Sequence, residues 1–284
     1  METINKIGIE FFEKNPTVSP YFIPLAIREN GHPWSIGLDS HILFAGDTGS
    51  GKNSALDGAI RQLAPFIESG VVKLYGVDPK EQLRPYGLTR LFTALAGSAF
   101  APDLFEVVAE VHAEMKRRLS ERRFNLDGGN LGRSHGASED SPATVLLIDE
   151  FDSLLYYLRA EGNEGRAVVR QIEEILFMGR SAGVYIIAAT QSLSKEVMGR
   201  MVDNFRTVAL FRQRSVYFND LILGEGAAEH GFNSTLIPLA SPANGYETAG
   251  IAIAMNGTGG PERIRFAYSS DEDIVALIKE YIKD

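Results

Sequence analysis

Five short apolar runs, separated by stretches with helical periodicity, set the first limit on how this chain can fold. They are HILFAG (41–46), VVKLYGVD (71–78), ATVLLIDE (143–150), GVYIIAAT (183–190) and TVALFR (207–212). The first four are nearly continuous in Val, Ile, Leu and Ala, as strands covered on both faces must be. Between them, LFEVVAEVHAEMKRRLSERRF (104–124) puts Leu104, Val107, Val108, Val111, Met115 and Leu119 on one stripe, which predicts an amphipathic helix. GRAVVRQIEEILFMGRSAG (165–183) predicts another, closed by Gly183. Strand and helix in alternation imply an α/β fold, a mainly parallel sheet flanked by helices with right-handed crossovers. The C-terminus departs from this rhythm. AGIAIAMN and ERIRFAYS around GTGG predict a β-hairpin. A last helix follows, with Ser270 as its N-cap and Ile274, Leu277, Ile278 and Tyr281 turned inward. Residues 125–142, rich in Gly, Ser and Asn, have little to bury and read as a loop.

The stretch HILFAGDTGSGKNSALDGAI (41–60) reads as strand, glycine-rich turn and helix start. Gly46, Gly49 and Gly51 permit a tight turn, so the N–H groups of Gly46, Asp47, Thr48, Gly49, Ser50 and Gly51 can point at phosphate oxygens. Lys52 then stands at the helix start, where its ammonium and the helix dipole favour the β- and γ-phosphates. Asn53 occupies the position where such a loop carries Ser or Thr to hold magnesium. Its amide oxygen, or the hydroxyl of Ser54 one residue on, is the candidate replacement. Asp149 and Glu150 end an apolar strand, where Asp149 can enter the magnesium shell and Glu150 can polarise the attacking water. The metal candidates are therefore Asn53 and Asp149, and the cofactors expected are ATP and Mg2+. Gln191, at the end of another strand, is a candidate for the γ-phosphate or the lytic water. A Thr-Gln pair there equally caps the next helix.

A length of 284 residues with 44% hydrophobic content supplies a sizeable core. Cysteine is absent, which excludes disulfides and thiolate metal sites and fits a reducing cytoplasm. The five histidines show no ligand spacing. No apolar run reaches the ~18 residues of a membrane span. The expectation is a cytoplasmic chain, brought to the inner face of the cell membrane by an anchoring partner if it works there. A net charge of −9 argues against coating nucleic acid with the whole surface. It leaves open a ring that grips DNA through a few basic residues in its channel.

These segments resemble the motor domain of the FtsK/SpoIIIE family of DNA-pumping ATPases. GVDPKEQL (76–83) is similar to that family's second-strand signature, and EMKRRL (114–119) to its Glu-Met-x-x-Arg motif. GRSAGVYIIAATQSLS (179–194) resembles its Arg-Ala-Ala-Gly-Ile-His…Ala-Thr-Gln-Arg-Pro-Ser run. NFRTVALF (204–211) and GEGAAEHGF (224–232) are similar to its later strand and Gly-Ala-Glu turn. The likeness covers residues 22 to 270, making 1–21 an N-terminal extension and 22–284 an FtsK-like RecA-fold ATPase motor domain. Asn53 departs from the family's hydroxyl residue, Ser192-Leu193 from its Arg-Pro, and the arginine of NFRTVALF is shifted by two residues. The form resembled is the compact one of conjugative plasmids, integrative elements and phages.

The resemblance implies a RecA-like P-loop NTPase that assembles into a homo-oligomeric ring, expected to be a hexamer, with ATP between subunits. Lys52, Asp149, Glu150 and Gln191 would come from one subunit and an arginine from the next. Arg206 is the candidate for that finger, with Arg180 and Arg212 as the others. Hydrolysis would move double-stranded DNA, for which Arg133, Lys195, Arg200, Arg212 and Arg214 are contact candidates. Two further readings stay open from the sequence: an ATPase powering protein secretion of the type VII kind, and a nucleotide-binding module with little hydrolysis.

Overall fold

The computed structural model describes residues 4–97, 102–121, 136–191, 198–256 and 259–283. Its strands are β1 (Ile23–Arg28), β2 (Pro33–Ile36), β3 (His41–Ala45), β4 (Val72–Val77), β5 (Ala94–Ala96), β6 (Ala143–Ile148), β7 (Val184–Thr190), β8 (Phe205–Phe211), β9 (Ile251–Asn256) and β10 (Glu262–Phe266). They form one sheet in the order β2-β1-β10-β9-β8-β3-β7-β6-β4-β5. The six strands from β8 to β5 run parallel. β9, β10, β1 and β2 extend the sheet antiparallel. The helices are α1 (Glu10–Lys14), α2 (Lys52–Glu68), α3 (Pro102–Ser120), α4 (Phe151–Ala160), α5 (Gly162–Met178), α6 (Val216–Leu223) and α7 (Asp271–Glu280).

Alternate residues of a strand face opposite sides, so a strand buried on both must be apolar throughout. In β3, Ile42 and Phe44 join the core shared with α1, α2 and α7. Leu43 and Ala45 join the core under α3, α4 and α5. The α3 stripe behaves as its period predicts: Leu104, Val107, Val108, Val111 and Met115 are all buried. Arg118, in the last turn of α3, donates to Glu114, to the carbonyls of Ala182 and Gly183, and to Thr144 Oγ1. That pins the helix end to the amino ends of β6 and β7. The Glu-Met-x-x-Arg motif is thus a structural latch here.

The second predicted helix is α5 only as far as Met178. A 3-10 turn at Gly179–Ala182 follows, and Gly183, at φ 70°, makes the left-handed exit into β7. The β9–β10 hairpin and α7 form as predicted, with Ser270 and Asp273 making a capping box. The β1–β2 pair was not read from the sequence. Pro24 and Pro33 lie inside these strands, and both look like strand breakers until the pair is seen at the sheet edge with a bulge at Pro24/Ala26. Phe11 and Phe12 of α1 are buried in the same core as β1 and α2.

His41 opens β3 and is fully buried. Its Nδ1 accepts the Ile186 N–H at 2.9 Å, and its Nε2 has no partner among the described residues. Burial, with Arg180 adding to it, pushes the imidazole down to about 3. The unfolded chain protonates it near ~6.5. Between those values the unfolded state binds the extra proton, so the stabilisation is complete above pH ~6.5 and is lost on acidification, at about 1.4 kcal/mol per pH unit. Denaturant melts from pH 7 to 4.5 should show a steeper loss in wild type than in His41→Asn, whose amide oxygen can accept the same N–H. Identical slopes would show that His41 is not the group responsible.

Candidate nucleotide site

The sheet register brings the chemistry to one edge. Ala45 pairs with Thr190, Ile148 with Ala188, and Val77 with Ile148, so the carboxyl ends of β3, β7, β6 and β4 lie side by side. From Ala45 the chain turns into the Gly46–Gly51 loop. Gly46 N–H donates to the Thr190 carbonyl at 3.1 Å and Asp47 N–H to the Arg212 carbonyl at 2.9 Å. Gly51 sits at φ 105°, and a methyl group there would run into the backbone of Gly250. Gly250 N–H in turn donates to the Ser50 carbonyl at 2.9 Å. The loop is therefore seated from both sides before any ligand arrives.

α2 begins at Lys52 with no side-chain cap, leaving its first-turn N–H groups for an anion. The Ser50 hydroxyl is buried without a partner among the described residues. Lys52 is buried and donates to the carbonyls of Gly46 at 2.6 Å and Asp47 at 3.0 Å. Burial draws its ammonium below the usual lysine range, while Glu150, Asp149 and Asp47 oppose that shift. An uncapped helix start, an unpartnered hydroxyl and a desolvated lysine fit a nucleoside triphosphate.

Asp149 and Glu150 follow β6 and are buried. Burial first, then the neighbouring Asp78 and Glu150, pushes Asp149 up to about 7. Glu150 holds a left-handed backbone, φ 53°, that aims its side chain into the site. Its Oε1 accepts from Gln191 Nε2 and, at 3.0 Å, from Lys80 Nζ. Its Oε2 is buried and unpartnered among the described residues. Gln191 also accepts from Thr48 Oγ1 at 2.8 Å, so one side chain spans the phosphate loop and the acidic strand end. Asn53 donates to Gln82 Oε1 at 2.6 Å and lines, with Asp149, a cavity of about 400 Å³. Among the described residues no three or more His, Cys, Asp or Glu form a metal cage. Magnesium is commonly held by one or two carboxylates plus substrate phosphates. Asp149 and the Asn53 amide oxygen fit that share.

Lys52, Asn53, Glu150 and Gln191 line a second cavity, of about 360 Å³. Its far wall carries Tyr246 and Tyr268, both about half-exposed, with Lys6 Nζ 4.8 Å from the Tyr268 ring centre. Sequence reasoning missed these residues, since no local motif marks an aromatic that reaches a loop 200 positions away.

The arginines are placed differently. Arg206 is exposed near the amino end of β8, and Arg180 is exposed in the turn before β7. Both lie at the sheet edge away from the loop. Arg212 and Arg214 are ion-paired to Asp47 of the loop itself. Arg200 is exposed in the 3-10 turn Gly199–Asn204. Arg133, Lys195 and Ser192-Leu193 lie outside the described residues, as does much of the 125–142 loop.

A mainly parallel sheet whose carboxyl edge carries a glycine-rich phosphate loop, a buried lysine and a strand-end Asp-Glu pair is a P-loop ATPase fold of the RecA-like kind. The FtsK/SpoIIIE family model matches residues 22–129. The DNA translocase FtsK of Staphylococcus aureus (strain Mu50) is 26% identical, over 95% of this chain and 34% of its own length. That of Corynebacterium glutamicum is 27% identical, over 86% of this chain and 26% of its own. The chain thus spans about a third or less of these curated relatives. Among solved structures, the pCW3 conjugation coupling protein TcpA with ATPγS superposes at TM-score 0.68, with 18% identity over 97% of this chain and 75% of TcpA. The cytoplasmic domain of the Thermomonospora curvata type VII secretion ATPase EccC does so at 0.67, with 18% identity over 95% of this chain and 32% of EccC. At these identities the two structures share the fold. Over residues 22–129 the chain is similar to the FtsK/SpoIIIE family, and over most of its length to FtsK DNA translocases.

Proposed function

We propose that this protein is an ATP-hydrolysing motor that moves double-stranded DNA through a ring, in element transfer or DNA segregation. The observation that carries the reading is the convergence of the buried Lys52, Asp149 and Glu150 with Gln191 on one edge of a sheet in a chain similar to the FtsK/SpoIIIE family. The N–H groups of Gly46, Asp47 and Ser50 are taken by the Thr190, Arg212 and Asp47 carbonyls, so those of Thr48, Gly49 and Gly51, with the Lys52 ammonium, hold the β- and γ-phosphates, and Ser54 stands beside them. Asn53 and Asp149 hold magnesium, which neutralises phosphate charge when bound. Glu150 takes a proton from water as the water oxygen bonds to the γ-phosphorus and the bond to the ADP oxygen breaks. Gln191 orients that water, and through Thr48 it links loop occupancy to the end of β7.

DNA as cargo rests on the DNA-translocase relatives. The hexameric ring and a trans-acting arginine, Arg206 or Arg180, belong to the same reading, as do a cytoplasmic location and a membrane-anchoring partner. Among the described residues no helix is long and apolar enough to cross a membrane.

The test is ATPase rate against protein concentration, with and without linear double-stranded DNA. A rate that climbs cooperatively with protein and rises again with DNA supports the motor. Turnover indifferent to DNA would redirect the reading to protein secretion, and no turnover at any concentration to a binding module.

A further inference from the structure

The turn after β4 is a built element to which the phosphate loop and the Asp-Glu pair assign no role. Asp78, fully buried, accepts the N–H of Lys80 at 3.1 Å and that of Leu83. Glu81 completes the turn at φ 58°, its N–H donating to the Asp78 carbonyl at 3.1 Å. A non-glycine residue in the left-handed region is held there only where surrounding bonds over-determine it. This rigid turn projects two side chains into the site. Gln82 receives the Asn53 amide at the start of α2. Lys80 reaches across the acidic strand end to Glu150 Oε1.

The Lys80–Glu150 pair is lopsided. Glu150 is buried, whereas the Lys80 side chain is 44% exposed on a flexible four-carbon stem. One carboxylate oxygen has two donors, Lys80 and Gln191, and the other has none among the described residues. Glu150 and Lys52 line the same cavity, so the Lys80 ammonium, held on the Glu150 carboxylate, borders that space. A half-exposed ion pair is worth little. A triphosphate brings several negative charges and strong acceptors into that space.

We propose that Lys80 is a second phosphate-contacting cation, supplied from within the subunit. With ATP bound it leaves Glu150 Oε1 for the γ-phosphate, and its departure leaves Gln191 as the donor to that oxygen, with room there for the attacking water. ATP occupancy and exposure of the base are then one event. The inference rests on the ATP reading above.

The experiment measures equilibrium affinity for the non-hydrolysable analogue AMPPNP and for ADP, with magnesium, in wild type, Lys80→Met, Lys52→Ala and Lys80→Met/Glu150→Gln. Losing one charge-assisted hydrogen bond should weaken AMPPNP binding by about 10- to 100-fold. ADP binding should be unchanged in Lys80→Met, and the AMPPNP loss should persist beside Glu150→Gln. Equal effects on both nucleotides, no effect, or a loss that disappears in the Glu150→Gln background would overturn the inference and leave Lys80 positioning Glu150. In those cases Lys52→Ala still binds more weakly than wild type, so the ATP reading survives. Wild-type protein that binds neither nucleotide would overturn both.

Discussion

Glu150→Gln should reduce ATP turnover by about 10²- to 10⁴-fold while leaving nucleotide affinity within a few-fold of wild type, the size expected when a positioned general base is lost. Glu150 is buried, and its Oε1 is fixed by Gln191 and Lys80. Glutamine has nearly the same volume, and its carbonyl can keep accepting from both donors. Only the capacity to take a proton from water is removed. Lys52→Ala should behave differently. It deletes a buried ammonium that sits on the Gly46 and Asp47 carbonyls, so binding and turnover should fail together. Single-turnover hydrolysis and equilibrium binding, measured on both variants, separate the two outcomes. Should Glu150→Gln keep a tenth of wild-type turnover, Glu150 is not the base.

Five of the six parallel strands and the phosphate loop were legible because each is written contiguously; β5, three residues long and only partly buried, was not. A strand buried on both faces must be apolar at every position, and Gly46 to Lys52 carry their chemistry within seven residues. β1 and β2 were not legible, because Pro24 and Pro33 read locally as breaks; Pro33 opens the edge strand β2 and Pro24 sits at the bulge in β1. The site's other partners come from residues far apart in sequence. Asn53 was read as a metal candidate from its position after Lys52. Its hydrogen bond to Gln82 depends on how the turn after β4 packs on α2, which no spacing rule reports. Lys80 lay inside a segment flagged for family resemblance, yet its approach to Glu150 requires β4 and β6 to be neighbours. Arg206 shows the converse. Its motif was visible in the sequence, and the parallel pairing of β3 with β8 places it at the end of the sheet away from its own loop.

Arg265→Met should unfold more easily by about 3 kcal/mol and should also bind nucleotide more weakly, although Arg265 is not among the residues lining the nucleotide cavity. Arg265 lies in β10 and is fully buried. It donates to the carbonyls of Ile4 at 2.6 Å, Glu247 at 2.5 Å and Ala249 at 3.4 Å. Methionine fills the volume but leaves these carbonyls without that donor, at about 1–3 kcal/mol for each that water does not reach. For a chain of this size that is a drop of about 5–10 °C in Tm. The effect on binding follows from where those carbonyls lie. Glu247 and Ala249 precede Gly250, whose N–H holds the Ser50 carbonyl and whose backbone leaves no room beside Gly51. Tyr246, at the start of the same turn, lines the cavity. Without Arg265 the turn loses its anchor, and the phosphate loop loses the surface that preorganises it. A ligand that binds only the native state raises Tm according to its concentration relative to Kd. The Tm gain from saturating ADP therefore reads the coupling directly. A smaller ADP-induced gain in Arg265→Met than in wild type is the expected result. An equal gain, on a lower baseline, would show that Arg265 stabilises the fold without shaping the loop.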